Sequence, residues 1–224
     1  QMFQFKKIAL NLALLVLASS AVSTHLAIGA AVNGVEGFET GFGDFYPDNG
    51  VWEVGVPTSG PGMAFEGESV AGTILAANYP GDQDSRLISP VITLPTIGGN
   101  ERIQLRLWHW FSYSSYDSGS VQISAYDLEA DQWEDWTSLA TVHATSAVWS
   151  PLNVDLTVYA GRYIRIAFLH VAGRDSWGHV SESSGWYVDD VQIWKGTPHF
   201  PSPEGFELDW ADWCVDNGIW EVGA

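Results

Sequence analysis

The alternation of apolar and polar residues along the chain predicts short β-strands separated by turns. One face of the segment from Arg102 to Phe111 carries Ile103, Leu105, Leu107, His109 and Phe111, and the other face carries Arg102, Gln104, Arg106, Trp108 and Trp110. A period of two residues is that of a β-strand. Because both faces hold large apolar side chains, we expect a central strand of a β-sandwich.

Other segments of the chain follow the same pattern. We predict strands at 120–126, 161–170 and 187–193, and shorter ones at Phe38, 51–54, 86–89, 91–94 and 148–156. Helical periodicity is nearly absent. About eight to ten strands with turns roughly every ten residues predict an all-β fold, an antiparallel jelly-roll β-sandwich.

The charge of the chain is strongly acidic. There are 27 Asp and Glu residues against nine Lys and Arg residues. Such a surface repels nucleic-acid phosphates and anionic lipid headgroups, so we expect neither as a partner. It is compatible with Ca²⁺, which prefers oxygen ligands, although negative charge also simply keeps a secreted protein soluble. A single cysteine, Cys214, excludes an intrachain disulfide bond.

The first 31 residues have the pattern of a secretory signal peptide. Lys6 and Lys7 precede an apolar run over residues 8–18, and small residues follow, so that cleavage is expected after Ala21 or near Ala31. The prediction is a secreted or cell-surface protein with no membrane insertion once the leader is removed. An uncleaved N-terminal anchor remains the alternative.

An internal repeat divides the rest of the chain. Residues 36–55 and 204–223 are identical at twelve of twenty aligned positions without a gap. We therefore predict one complete domain at 35–195, a proline-rich linker at 196–203 and the truncated start of a second copy at 204–224. The parent chain is expected to contain further copies of the module.

Several motifs in this order resemble a known family. They are Phe38-Glu39, Leu87-Ile-Ser-Pro90, Asp117-x-Gly119-x-Val121-x-Ile123 and the closing Gly185-Trp-Tyr-Val-Asp-Asp-Val-Gln-Ile193. The set resembles the MAM-like, lectin-like jelly-roll modules of bacterial secreted proteins. The resemblance implies a jelly roll with an adhesion or targeting role.

The same resemblance implies a cation between the first and last strands, with Glu39 and Asp189 as ligands. Alternation places Asp189 on the face of Val191 and Ile193, where an ionised carboxylate needs a partner. Asp190 is expected to face the other way. Asp48, Asp117 and Asp190 are candidates to complete the six to eight oxygens around a structural Ca²⁺. In the alternative interpretation, Glu39 and Asp189 accept hydrogen bonds from strand-end amides or pair with an arginine.

Signatures of catalysis are missing from the sequence. It contains neither His-Glu-x-x-His nor Gly-x-Ser-x-Gly, and the prediction is that the protein is not an enzyme. Paired carboxylates can cleave glycosides, so a glycoside-active jelly roll is kept as an alternative.

Clustered aromatic residues are the candidates for ligand binding: Trp108, Trp110, Tyr113 and Tyr116. Exposed aromatic rings stack on sugars or anchor protein partners. Alternatively, Trp108 and Trp110 cover the second face of the core, whereas Tyr113 and Tyr116 are expected to be exposed. The predicted function is a non-catalytic extracellular adhesion or carbohydrate/protein-binding module. A structural spacer appended to a secreted hydrolase is the alternative.

Overall fold

A computed structural model describes residues 33–146 and 148–198, together with Phe206, Trp213, Cys214, Trp220 and Val222. The signal peptide predicted at 1–31 lies outside the described residues. So do most of the predicted linker and most of the second copy, and these divisions of the chain stay predictions.

Thirteen strands make up the described fold. They are β1 (Val35–Glu36), β2 (Tyr46–Pro47), β3 (Glu53–Gly55), β4 (Val70–Gly72), β5 (Asp84–Ile88), β6 (Ile92–Thr93), β7 (Arg102–Ser112), β8 (Ser118–Asp127), β9 (Gln132–Trp133), β10 (Thr137–Val142), β11 (Ser150–Asp155), β12 (Tyr163–Val171) and β13 (Gly185–Gly196). The helix found in the described residues is one 3-10 turn, Thr157–Tyr159. No helix in this part of the chain is long and apolar enough to cross a membrane.

The strands form two antiparallel sheets. The first has the order β11-β7-β13-β4-β3, and β1 also pairs with β13. The second has the order β10-β8-β12-β5-β2, with β6 on β12 and β9 on β8. The chain passes repeatedly from one sheet to the other, from β6 to β7 to β8 and from β10 to β11 to β12 to β13, as in a jelly roll, so the predicted all-β fold class is confirmed.

The core lies between the two sheets. The predicted inner face of β7 is fully buried, and β12 faces it with Ile164, Ile166 and Phe168. Trp186 of β13 is fully buried and its ring contacts Phe168 edge-to-face at 5.5 Å. Each such side chain contributes about 1.5–3 kcal/mol on burial.

Two details differ from the predicted strands. Phe38 is buried but lies outside any strand, because its backbone turns at φ 58° and its amide donates to Glu36 Oε1 at 2.8 Å. Strands β4 and β10 were not predicted. β4 is too short for a readable pattern, and β10 carries mostly Thr, Ser and Ala.

A β-bulge interrupts the last strand at Asp189 and Asp190. Asp189 pairs with Trp108, whereas Gln192 pairs with Arg106, so β13 has one more residue than β7 between these pairs. Asp190 absorbs the kink with a φ of 48°. One extra residue reverses the alternation of faces. Asp189 therefore shares the outer face with Trp108, and the prediction that it shares the face of Val191 and Ile193 is wrong.

Candidate functional site

The two acidic residues expected to hold a cation both accept hydrogen bonds from one loop. Asp189 is fully buried, and its Oδ2 accepts hydrogen bonds from the amides of Phe65 at 3.1 Å and Glu66 at 3.2 Å. Glu39 Oε1 accepts the amides of Glu68 and Ser69, each at 3.0 Å. The carboxylates thus fasten segment 65–69 to the first sheet. This is the hydrogen-bonding alternative considered for the sequence.

Two more acids complete a carboxylate cluster, defined as Glu39, Glu66, Asp189 and Asp190. Burial raises the pKa of Asp189 to about 6 against the stabilising amides. Burial, and then the charges of Glu66 and Glu39, raise the pKa of Asp190. Within the described residues, none of the four forms an ion pair with a basic side chain.

The other two predicted metal ligands lie in different surroundings. Asp48 accepts the amide of Arg86 at 2.6 Å and pairs with its guanidinium at 3.3 Å. Asp117 is buried and accepts hydrogen bonds from the Tyr79 hydroxyl, Ser114 and the Gly173 amide. In the described ranges, no group of three or more His, Cys, Asp or Glu side chains is arranged to hold a metal ion. The five predicted ligands are therefore not assembled into one such group.

The outer face of the first sheet is covered at the predicted aromatic site. The Phe65 ring stacks on Trp108 with centroids 3.8 Å apart, and the Trp149 indole donates to the Met63 carbonyl at 3.2 Å. Trp110 packs edge-to-face against Tyr187 at 5.6 Å. Both predicted tryptophans are half-buried under this loop, which agrees with the packing alternative.

The two predicted tyrosines differ from each other. Tyr116 is 58% exposed, as expected. Tyr113 is 6% exposed, so the expectation that it lies at the surface is wrong. Its ring stacks on His170 at 5.6 Å, and its hydroxyl lies 3.2 Å from His170 Nδ1. Tyr113 directly follows β7, and its amide donates to the Ala144 carbonyl at 2.7 Å.

A second aromatic surface, half-buried like the first, lies on the outer face of the second sheet. We define this tryptophan–arginine face as Arg86, Gln122, Trp133, Trp136 and Arg165. Arg165 lies between the buried Ile164 and Ile166 on β12, so alternation directs it outward. Its guanidinium carbon lies 4.1 Å from the Trp133 ring centroid and 5.4 Å from that of Trp136. These distances permit cation–π attraction.

The segment that carries both tryptophans is anchored to the sheet. Trp133 pairs with Tyr126 of β8, and the two rings meet edge-to-face at 5.2 Å. The Glu134 amide donates to the Ala125 carbonyl at 2.8 Å, and the Ser124 hydroxyl donates to the Glu134 carbonyl at 2.7 Å. The indole rings are therefore presented by a fixed backbone.

The two arginines of this face are bonded differently. Arg86 donates from Nε to Gln122 Oε1 at 2.9 Å and pairs with Asp48. Arg165 forms no hydrogen bond or ion pair with any described residue, and its Nε is buried without a partner. Sequence reasoning missed this face. The available signals were the spacing Trp133-x-x-Trp136 and an arginine between two core isoleucines.

One further tryptophan is highly exposed. Trp177 is 83% exposed at the tip of a turn closed by the bridge between Arg174 and Val180. Asp175 Oδ1 accepts the amides of Trp177 and His179, each at 2.8 Å, which holds the turn in shape.

Comparison with known proteins found one curated relative. The chain is 30% identical over 158 residues to Bacillopeptidase F of Bacillus subtilis (strain 168); the match covers 70% of this chain and 10% of the relative. The chain thus spans about a tenth of that protein's length. No protein-family model matches the sequence.

Solved structures with a similar outline include an adhesin domain, a xylan-binding domain and the enzymatically active domain of a phage tailspike. The K2 cleaved adhesin domain of Lys-gingipain has a TM-score of 0.44 at 16% identity, covering 71% of this chain and 96% of that domain. The CBM22-2 xylan-binding domain of Paenibacillus barcinonensis Xyn10C has a TM-score of 0.43 at 16% identity, covering 71% and 97%. Bacteriophage CBA120 tailspike protein 4 reaches 0.47 at 13% identity, covering 75% and 22%. All three scores are below 0.5, and the fold class assigned to this chain rests on its own strand order.

Proposed function

We propose that this protein is a non-catalytic, extracellular carbohydrate-binding module whose site is the tryptophan–arginine face. The observation that carries the proposal is the half-buried pair Trp133 and Trp136, set by a fixed backbone beside two arginines on the outer face of the second sheet. The corresponding face of the first sheet is covered by segment 65–69, and its tryptophans are engaged in packing.

The chemistry of the face suits a sugar. The apolar faces of sugar rings stack on flat indole rings, and planar polar groups such as those of Gln122 and Arg86 form directional hydrogen bonds with hydroxyls. The strongly negative charge of the chain disfavours a polyphosphate such as nucleic acid as the partner.

The buried acids support a binding role over catalysis. Asp117 and Asp189 are the buried carboxylates of the described residues, and both accept several hydrogen bonds from protein donors. Such fully engaged carboxylates lack the freedom of a general acid or a nucleophile. Two observed roles, holding segment 65–69 and holding the loop at Gly173, account for these residues.

A second candidate function is a spacer within a longer secreted chain. The similarity to one tenth of Bacillopeptidase F supports it, because a comparable unit then occurs as a small part of a protein named as a peptidase. Secretion itself is proposed from residues 1–31. A structural Ca²⁺ at the carboxylate cluster is a further proposal, supported by the charges of Glu66 and Glu39, which after burial raise the pKa of Asp190.

Glycan-array binding of the purified chain tests the proposed function. We expect Trp136→Ala to weaken glycan binding about two- to tenfold, since stacking of one ring on an aromatic side chain contributes about 0.5–1.5 kcal/mol. Trp177→Ala is the matched control, because it removes an exposed indole from a separate turn and should leave binding unchanged. If wild-type protein binds no glycan, the spacer is the better interpretation. If Trp177→Ala abolishes binding and Trp136→Ala does not, glycans bind at the Trp177 turn, and the tryptophan–arginine face is not the binding site.

A further inference from the structure

The unpaired arginine on the tryptophan–arginine face indicates which sugars it recognises. Arg165 donates to no described residue, although the chain has three acidic residues for every basic one. Three neighbouring basic side chains do have carboxylate partners: Arg86 with Asp48, Arg162 with Glu134 and Arg174 with Asp82. The missing partner of Arg165 is thus a local exception.

The position of Arg165 is set by packing on its ring neighbours. The ring centroids of Trp133 and Trp136 lie 4.1 Å and 5.4 Å from the guanidinium carbon. The Nε atom is buried without a hydrogen-bond partner. The Nη atoms form no ion pair with a described carboxylate. A guanidinium presents its N–H groups in a planar fork that matches the two oxygens of a carboxylate.

Resting on the proposed function, we propose that the face recognises an acidic sugar, a uronic acid residue within an otherwise neutral glycan. Its carboxylate pairs with Arg165 while neighbouring rings lie against Trp133 and Trp136. A single carboxylate is favoured over a polyanion because the chain as a whole is acidic and repels dense negative charge. The attraction between one carboxylate and Arg165 persists, because the Debye length is about 8 Å at physiological salt and more distant acidic side chains are screened.

The acids nearest this face do not cancel its positive charge. Asp48 is paired with Arg86, and Glu134 is paired with Arg162. Asp135, next to Trp136, is exposed, and its charge is screened by water. Arg165 is therefore the group with an uncompensated charge at the centre of the face.

The test compares two oligosaccharides that differ in one carboxylate, cellobiouronic acid and cellobiose, alongside an array of longer uronate-bearing and neutral pairs. We expect the full chain to bind uronate-bearing members about tenfold or more tightly than their neutral counterparts, and the preference to shrink as salt rises. Arg165→Gln should remove the preference while neutral binding persists. Arg165→Lys should keep part of it, because the charge remains without the fork.

Controls separate the possible failures. Arg102→Gln removes an exposed arginine from the edge of the first sheet and should leave the preference intact. Melting curves of the Arg165 variants show whether they fold, and the lysine variant serves if the glutamine variant does not. Equal affinity for acidic and neutral members, or a preference that survives Arg165→Gln, overturns the uronate inference and leaves the binding function standing. Binding of no glycan at all overturns both.

Discussion

Replacing Asp189 with alanine is the sharpest test of how the first sheet is closed. The substitution leaves three amides without an acceptor, those of Phe65, Glu66 and Asp190. Hydrogen bonds to a charged group contribute about 1.5–3 kcal/mol each. Against this, burial raises the pKa of Asp189 from 3.8 to about 6, so its charge costs at most about 3 kcal/mol at pH 7.

The balance of these terms predicts a net loss of about 1.5–6 kcal/mol in the free energy of unfolding. In a domain of this size that corresponds to a fall of about 3–24 °C in melting temperature. The loop should open before the core unfolds. Amides 65 and 66 should then exchange faster with solvent, and the fluorescence of Trp108 should shift to the red as Phe65 leaves it.

Differential scanning calorimetry and amide hydrogen exchange measure both effects. Asp44→Ala is the matched control, because Asp44 is exposed and forms no hydrogen bond with the described residues. A melting temperature within about 2 °C of wild type, with unchanged exchange at residues 65 and 66, would refute the argument that the buried carboxylate holds this loop.

The remaining predictions concern stability. Burial lowers the pKa of His109 from 6.5 to about 3, so between these pH values the side chain binds a proton only in the unfolded state, and the free energy of unfolding falls as pH drops from 6.5 towards 3. In His109→Met, urea unfolding at several pH values should show a pH dependence that is smaller by about one proton. Gly185→Ala should lower the free energy of unfolding by about 3 kcal/mol or more, because φ is 90° and an added Cβ would lie 1.9 Å from Thr73 Oγ1. Gly178→Ala is the control in the same denaturation assay: φ is 83° but the space is open, so the loss should be about 1 kcal/mol. Ca²⁺ at a hundredfold excess over its Kd should raise the stability by about 2.7 kcal/mol and EDTA should reverse it, with Asp190→Asn losing the response; identical melting curves would remove calcium from the carboxylate cluster.

The alternation of residues was sufficient to predict the long strands. In β7, five inward positions from Ile103 to Phe111 are all buried, and β8, β12 and β13 lie where their patterns indicated. Large apolar side chains at alternate positions of a strand need a facing layer to bury them, and in this fold the second sheet supplies it. The alternation of side chains along the long strands is therefore enough to predict the fold class.

The candidate sites depended on features without a local signature. The bulge at Asp189 and Asp190 is a mismatch between two strands, so neither strand alone reveals it, and it reversed the predicted face of Asp189. The cover over Trp108 comes from Phe65, which is separated from it by three strands of sequence. Whether such a residue is buried depends on which distant residue packs against it, and the tertiary fold determines that residue.

The sequence by itself determined the all-β class, the inner faces of the long strands, the acidic charge and the repeat. Each of these is a property of consecutive residues or of their sum. Only the tertiary structure decided that Trp133, Trp136 and Arg165 meet on the outer face of the second sheet. They come from β9, the turn after it and β12, and antiparallel pairing with β8 brings them together. Binding surfaces of sandwiches are assembled across strands, and the physical reason is that side chains on one face neighbour each other across the hydrogen-bonded ladder rather than along the chain.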